Sequence, residues 1–212
     1  MDEKTIQFLQ MFPTTVLGCR LPEQARLNAG LLEYINKLRE AASGDRTRTN
    51  VLGWQSGNLD LAVPIVAEFA ELVRERAREF GLELKWSFSS NSQLVIRDIW
   101  ANANSKYAYD HVRNHANSML SGVYYVKTVG DCGDLFLIDP RKQAWVVQPD
   151  YSERTPINSQ IHFISPEVGM LIMFPSWLEH GVNQSFSDDD RISISFNINF
   201  SHERVTGARA RG

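Results

Sequence analysis

Two stretches within the first 83 residues carry hydrophobic side chains spaced three and four residues apart. The first follows Pro22 and the second begins at Pro64; their apolar positions are Leu27, Leu31, Leu32, Ile35 and Leu38 in the first, and Ile65, Val66, Phe69, Leu72, Val73 and Phe80 in the second. This spacing places the apolar side chains on one face of an α-helix, and proline is favoured in a helix's first turn. The pattern predicts two amphipathic helices, ending at Ser43-Gly44-Asp45 and at Gly81.

Beyond residue 84 the pattern changes to short runs rich in β-branched and aromatic residues, separated by Gly, Pro, Asn and Asp. These runs predict strands over residues 84–88, 94–101, 120–127, 134–138, 144–147, 161–164, 170–174, 182–185 and 192–200. A further short strand is predicted over 12–17, and the polar stretch 47–58 is predicted to be a long ordered loop. Eight or nine short strands are typical of a sandwich or barrel.

The length of 212 residues suits a single domain, because one hydrophobic core can keep growing up to roughly 250 residues. No repeat or flexible linker divides the chain. We expect one domain over 1–212, with a mostly helical bracing region (1–83), a β core (84–200) and a tail (201–212).

Charge and cysteine content narrow the expected partners and location. The net charge of −3 argues against nucleic acid as a partner, since phosphate contacts need clustered Lys and Arg. Two cysteines, Cys19 and Cys132, and a start without a leader pattern favour a reducing cytoplasm. No apolar run approaches the ~20 residues that span a bilayer, so no membrane is expected as a partner.

The five histidines are His111, His115, His162, His180 and His202. Three of them, His111, His115 and His180, sit next to predicted strand ends, and rims of β-barrels are where side chains converge on ligands. A non-haem Fe(II) site needs two histidines and usually one carboxylate. His115 and His180 are candidates for the two histidines; alternatively, either could cap a strand or bond to a loop.

Arg191 and Ser193 follow His180 at the start of an alternating strand. An arginine fork can hold a carboxylate bidentately, which suits the far end of a dicarboxylate such as 2-oxoglutarate. Ser193 points to the same face and can donate a second hydrogen bond. Arg191 could instead pair with an aspartate at 188–190, but His180 upstream favours the ligand role.

The chain resembles the 2-oxoglutarate/Fe(II)-dependent oxygenase superfamily, and in particular a small bacterial and phage family within it. The blocks that carry the resemblance are Gly53-Trp54-Gln55-Ser56, Trp100-Ala101-Asn102, the run from His115 to Val126 with Ser121-Gly122-Val123-Tyr124-Tyr125, Asp139-Pro140-Arg141, Pro166 with Gly169, and residues 174–197.

The resemblance implies an α+β fold built on a double-stranded β-helix (a cupin-like jelly roll), with the N-terminal helices packed on one sheet. It implies Fe(II) and 2-oxoglutarate as cofactors and His180 as the distal iron ligand. Arg191 with Ser193 would anchor the 2-oxoglutarate tail carboxylate, and Tyr125 would reach the same carboxylate. Asn102 is expected at the cofactor site, although a structural hydrogen bond is the alternative for a polar strand residue.

One position departs from the family pattern. Where that family usually shows His-x-His before the Ser-Gly-Val-Tyr-Tyr strand, this chain has Arg113-Asn114-His115. His111 is the candidate to replace the missing third ligand, and Asp110 or Asn117 could also approach the metal. Arg113 would repel a divalent cation if its side chain pointed inward.

The leading hypothesis is an Fe(II)- and 2-oxoglutarate-dependent dioxygenase that hydroxylates a small molecule or peptide. The alternatives are a non-catalytic binding module that keeps the Arg191 pocket, and an enzyme that uses another divalent metal for a simpler reaction. Hydrolase and nucleotide-binding functions are disfavoured, because the chain lacks a Gly-x-Ser-x-Gly elbow and a phosphate-binding glycine loop. A homodimer is expected only because such dimers are the commonest assemblies.

Overall fold

The structure, a computed structural model, describes residues 6, 8–42, 50–88 and 92–202. Within them the chain forms two α-helices, α1 (Gln24–Ala41) and α2 (Pro64–Glu83), and a short 3-10 helix (Lys142–Trp145). The strands are β1 (Leu17–Arg20), β2 (Asn50–Val51), β3 (Trp54–Asn58), β4 (Ser92–Asn104), β5 (Tyr109–Arg113), β6 (Leu120–Lys127), β7 (Leu135–Ile138), β8 (Ile161–Ile164), β9 (Met170–Pro175), β10 (His180–Val182) and β11 (Arg191–His202).

The strands form two antiparallel sheets. The six-stranded sheet has the order β1-β9-β6-β11-β4-β3, and the five-stranded sheet has the order β2-β5-β10-β7-β8. Side chains from both sheets, including Tyr125, Phe174, Leu135 and Leu137, share one buried cluster between them. This is the predicted α+β double-stranded β-helix, and the fold prediction is confirmed.

β11 is buried on both faces because each face meets a different layer. Its apolar side chains join the cluster formed by α1 and α2; they are Ile192, Ile194, Phe196 and Ile198. Its polar side chains alternate with these and are directed away from the helices; they are Arg191, Ser193, Ser195 and Asn197. The helices therefore cover one face of the six-stranded sheet, and the other face is left for a site.

Both predicted helices are confirmed, and so are most of the predicted strands. The predicted bounds 120–127 and 161–164 are those of β6 and β8, and β4, β7, β9 and β11 contain or closely match their predicted runs. β1 and β10 lie a few residues from the runs predicted over 12–17 and 182–185. These segments were predictable because the alternation of polar and apolar residues and the flanking turn residues indicate the same strands.

Three secondary-structure predictions were wrong. Residues 84–88 turn back on the end of α2, where Trp86 N donates to Gly81 O (2.8 Å), so the aromatic side chains pack on the helix instead of extending. Residues 144–147 overlap the 3-10 helix, and the 47–58 stretch contains β2 and β3. Prediction also missed β5, whose sequence Tyr-Asp-His-Val-Arg shows little apolar alternation.

The helical bracing region also contributes strands, since β1 and β3 form the two edges of the six-stranded sheet and β2 one edge of the other. Residues 43–49 and 203–212, which include part of the predicted loop and most of the tail, lie outside the described residues. Among the described helices, none is long and apolar enough to cross a membrane.

Candidate functional site

Two of the predicted histidines meet between the sheets. His180 begins β10, where its Cα is paired with Arg113 of β5 and Leu137 of β7. His115 lies just after β5, and its backbone N–H donates to Ser176 O at 2.9 Å. The two imidazole rings stack with centroids 5.2 Å apart and planes 23° apart.

Burial keeps both imidazoles neutral. The pKa of His180 is lowered to about 3, mainly by desolvation and also by the nearby Arg113 charge, while the hydrogen bond to Leu178 opposes the shift. Desolvation also lowers the pKa of His115 to about 4, and Arg113 again acts in the same direction. A neutral imidazole has a lone pair for a metal ion.

The tautomer of His180 follows from one contact. Its Nδ1 lies 2.8 Å from Leu178 O, and because a carbonyl can only accept, Nδ1 carries the proton. The free lone pair is therefore on Nε2. A histidine that donates its other N–H to a carbonyl is the usual arrangement at protein metal sites.

The predicted cofactor residues lie side by side on the inner face of the six-stranded sheet. Ser193 of β11 has its Cα paired with Asn102 of β4 on one side and Tyr125 of β6 on the other. These three side chains, with Arg191, line the same small cavity as His115 and His180. Arg191, Ser193, Tyr125 and Asn102 are all buried.

Arg191 is 2% exposed, and its surroundings decide between the two interpretations of its role. Its Nη1 donates to Cys132 O (3.0 Å) and Gly133 O (2.8 Å). The three candidate aspartates form ion pairs elsewhere: Asp188 with Lys106, Asp189 with Lys127 and Asp190 with Arg39. Arg191 Nε is buried and has no hydrogen-bond partner among the described residues. A buried, unpartnered donor on a cation is suited to an anionic ligand.

Tyr125 completes the polar end of this cavity. Burial raises the pKa of its phenol to about 12, against the opposing effect of the Arg191 charge. The hydroxyl is therefore protonated at neutral pH and can donate a hydrogen bond. Asn102 donates from Nδ2 to Ser195 Oγ at 3.1 Å, so its part in cofactor binding stays a prediction beside this structural contact.

The predicted third ligand is placed differently. The side chain of His111 is exposed and packs edge-on against Tyr109, with centroids 5.1 Å apart, outside the set that lines the cavity. Asp110 and Arg113 line the cavity instead, with Arg113 Nη1 3.5 Å from Asp110 Oδ1. In the part of the chain that is described, no group of three or more His, Cys, Asp or Glu side chains is arranged to hold a metal. The role of His111 as a ligand stays a prediction.

A hydrogen-bonded chain behind the histidines was not predicted from the sequence. Ser121 Oγ lies 2.7 Å from Ser176 Oγ and donates to Asn197 Oδ1 at 2.8 Å, and Asn197 Nδ2 donates to Asp98 at 3.3 Å. Because Ser176 O accepts from His115 N, this chain ties the His115 loop to β6 and β11. The polar residues at every second position of β11 were the sequence feature from which this hydrogen-bonded chain could have been predicted.

A family model described as "Putative 2OG-Fe(II) oxygenase" matches residues 98–197, from β4 to β11. Residues 98–197 are therefore similar to a 2-oxoglutarate/Fe(II) oxygenase domain. The resemblance inferred from the sequence is therefore confirmed. The matched segment contains His115, His180, Arg191 and Ser193. No curated protein sequence matches the chain.

Several solved structures share the fold. A Pseudomonas putida prolyl-4-hydroxylase is 12% identical, with a TM-score of 0.62 over 88% of this chain and 92% of its own. HygX from Streptomyces hygroscopicus, solved with nickel and 2-oxoglutarate bound, is 10% identical, with a TM-score of 0.61 over 88% and 83%. SnoN, an α-ketoglutarate-dependent epimerase from nogalamycin biosynthesis, is 11% identical, with a TM-score of 0.64 over 92% and 85%. The comparisons give no support to the non-catalytic alternative.

Proposed function

We propose that this oxygenase domain is an Fe(II)- and 2-oxoglutarate-dependent dioxygenase that hydroxylates its substrate. The observation that carries the proposal is one cavity with two neutral imidazoles and, within the same lining, a buried arginine with an unpartnered donor. The first feature suits a divalent metal and the second suits a carboxylate. The family match supports the combination.

His115 and His180 would hold the iron. Both imidazoles are neutral near pH 7, and the Leu178 carbonyl orients the His180 ring so that Nε2 is available. When bound, iron with 2-oxoglutarate supplies oxygen activation: one atom of O₂ enters a substrate C–H bond, and the other enters succinate as CO₂ leaves. Two histidine ligands leave room for both the cosubstrate and O₂.

Arg191, Ser193 and Tyr125 would hold the tail carboxylate of 2-oxoglutarate. Arg191 offers its free Nε, and the carbonyls of Cys132 and Gly133 hold its Nη1 in place. Tyr125 and Ser193 offer hydroxyl donors from adjacent strands. These buried donors would be preorganised, so little is lost in ordering them on binding.

Apolar side chains would keep water from the metal. The Phe174 ring lies 4.6 Å from that of His180, and the Trp100 ring lies 5.8 Å from that of His115. Exclusion of water strengthens every charge interaction inside the site and protects reactive species from side reactions. These residues thus act by enclosing the site.

The test is anaerobic purification, reconstitution with Fe(II), and measurement of bound iron and of succinate formed from 2-oxoglutarate. We expect about one iron per chain and succinate formation that His180→Ala abolishes. His111→Ala tests the predicted third ligand: loss of iron would assign His111 to the metal site, whereas values near those of the wild type would place it outside, as its exposed side chain favours. A well-folded protein with neither iron nor turnover would overturn the proposal.

Location and partners are also proposals. The described cysteines Cys19 and Cys132 are both free thiols, which supports a reducing compartment such as the cytoplasm. The net charge of −3 supports a partner other than nucleic acid. A homodimer stays an expectation from the frequency of such assemblies.

A further inference from the structure

A second and much larger cavity lies near the edge of the β-helix formed by β1 and β8. Its volume is about 740 Å³, within the range of roughly 300–1,000 Å³ typical of small-molecule sites. Residues of β1, β7, β8 and β9 line it, with residues 9–14 and parts of the 139–159 connection. It is therefore enclosed by both sheets and by segments that precede β1 and follow β7.

This cavity lies one layer of side chains from the histidines. Leu137, Ile172 and Leu178 line it and also belong to the buried cluster that contains Tyr125 and Phe174. Tyr125 and Phe174 in turn line the small cavity with His180. Leu137 is also the Cα partner of His180. A molecule in the larger cavity would thus have its inner end close to the metal site.

The charges at the cavity rim neutralise each other. Arg141 donates from Nε and Nη2 to Asp139 Oδ1 (3.0 Å) and Oδ2 (2.9 Å), so both carboxylate oxygens are engaged. This pairing lowers the pKa of Asp139 and keeps its carboxyl group ionised. The two charges therefore compensate each other, and His162 is a further titratable side chain in the described lining of the cavity.

The outer wall of the cavity is apolar and partly uncovered. Leu9, Met11 and Phe12 line it, yet they are 76%, 63% and 87% exposed. Ile157 on the opposite segment is 62% exposed. Neighbouring apolar side chains that remain in water on a cavity wall are typical of a surface that a ligand covers.

We propose that the larger cavity binds the substrate of the oxygenase, and that this substrate is an uncharged, largely apolar small molecule. The inference rests on the proposed function for its chemistry, but the binding itself requires neither iron nor 2-oxoglutarate. The end of the substrate that reaches Leu137 and Leu178 would lie against the wall between the two cavities, and displacement of these side chains would bring its C–H bond to the metal site.

Gly18 of β1 gives a direct test, because it lines the cavity and has no side chain. A Cβ built there lies 3.4 Å from Ile172 Cδ1, an ordinary contact, so a larger side chain at this position would enter the cavity. Gly18→Leu should therefore occupy part of the binding volume. Gly130→Leu is the control, because a Cβ at Gly130 has nothing within 4 Å and the residue lies outside this cavity.

The probe is the neutral dye Nile red, measured by fluorescence, with decan-1-ol, decanoate and decylammonium as competitors. We expect one dye per chain, displacement by decanol, and at least tenfold weaker displacement by the two charged chains. Gly18→Leu should weaken dye binding at least tenfold, and Gly130→Leu should leave it unchanged. Ile157→Glu, a surface change that adds an unpaired charge at the rim, should also weaken it.

Absence of dye binding, equal competition by charged chains, or full binding to folded Gly18→Leu and Ile157→Glu would overturn the substrate assignment. Iron content and succinate formation are measured separately on the same proteins. Dye selectivity without iron or succinate would count against the proposed function, whereas succinate formation without dye selectivity would count against the substrate class. The two failures are therefore distinguishable.

Discussion

Arg113 lies directly across from His180, with their Cα atoms paired between β5 and β10. The Arg113 side chain is only 19% exposed, its Nε has no hydrogen-bond partner among the described residues, and its charge lowers the pKa values of both cavity histidines. A fixed cation therefore stands at the position where the related family usually carries a histidine.

Replacing this cation with a ligand should strengthen metal binding. For Arg113→His we expect at least tenfold higher affinity for Co(II) than in the wild type, since a third imidazole is added and a repelling charge is removed. Titration calorimetry on metal-free protein measures it. Arg113→Gln removes only the charge; if it raises the affinity as much as Arg113→His does, ligation at this position is not the cause.

Removing the buried guanidinium group of Arg191 should weaken 2-oxoglutarate binding. Hydrogen bonds to charged groups contribute about 1.5–3 kcal/mol each, so Arg191→Met should raise the dissociation constant for 2-oxoglutarate by roughly 10- to 150-fold. Calorimetry with Co(II) in place of iron avoids turnover. Arg141→Met is the control, because Arg141 is held by Asp139 outside the small cavity. An unchanged constant in Arg191→Met would remove Arg191 from the cosubstrate site.

Acid should destabilise the metal-free protein through His180. Its folded pKa of about 3 lies below the unfolded value of ~6.5, so between these values the unfolded chain binds more protons and stability falls as pH falls. From pH 7 to pH 5 the loss attributable to His180 should be about 2 kcal/mol.

Urea unfolding of wild type and His180→Asn at each pH measures this effect. The variant should lose less stability than the wild type between pH 7 and pH 5, and the two should run parallel from pH 7 to pH 8. Identical profiles throughout would mean that His180 is protonated equally in both states.

Gly122 should tolerate no side chain. A Cβ there would lie 2.4 Å from Phe196 Cζ and 2.6 Å from the backbone oxygen of Ile172, and a backbone atom cannot move away cheaply. Gly122→Ala should therefore lower the free energy of unfolding by about 1–3 kcal/mol, the usual cost of overpacking. Chemical denaturation tests this, with Gly130→Ala as the control in open space. Equal stability of the two variants would contradict it.

The secondary-structure elements that could be predicted from the sequence are those in which the buried positions are the apolar positions of the local pattern. The helices α1 and α2 have one apolar face, and β6 and β11 have regular alternation, so their positions followed directly. β5 could not be found this way, because the cavity buries Asp110 on one of its faces and leaves His111 in solvent on the other. Its pattern reflects the site, where polar residues are buried.

Residue types at the site were predictable, but their geometry was not. Arg191, Ser193, Tyr125 and the two histidines were identified from motif and resemblance, and they lie around one cavity. The choice between His111 and Asp110 depends on which side of β5 faces inward, which is a difference of one residue in register. The large cavity depends on contacts between segments distant in sequence, such as residues 9–14 and the connection after β7.

The two buried faces of β11 limit how this chain can change. A one-residue insertion before Ser193 would exchange the faces of the following strand, placing isoleucines beside the histidines and serines against α1 and α2. Solvent would relieve neither exchange to a large extent, since residues 191–198 are buried on both faces except for the half-buried Ser195. Insertions in β11 should therefore prevent folding, whereas insertions in the exposed connection between β7 and β8 should be tolerated. Differences in length among relatives of this chain should consequently occur mainly around the opening of the larger cavity.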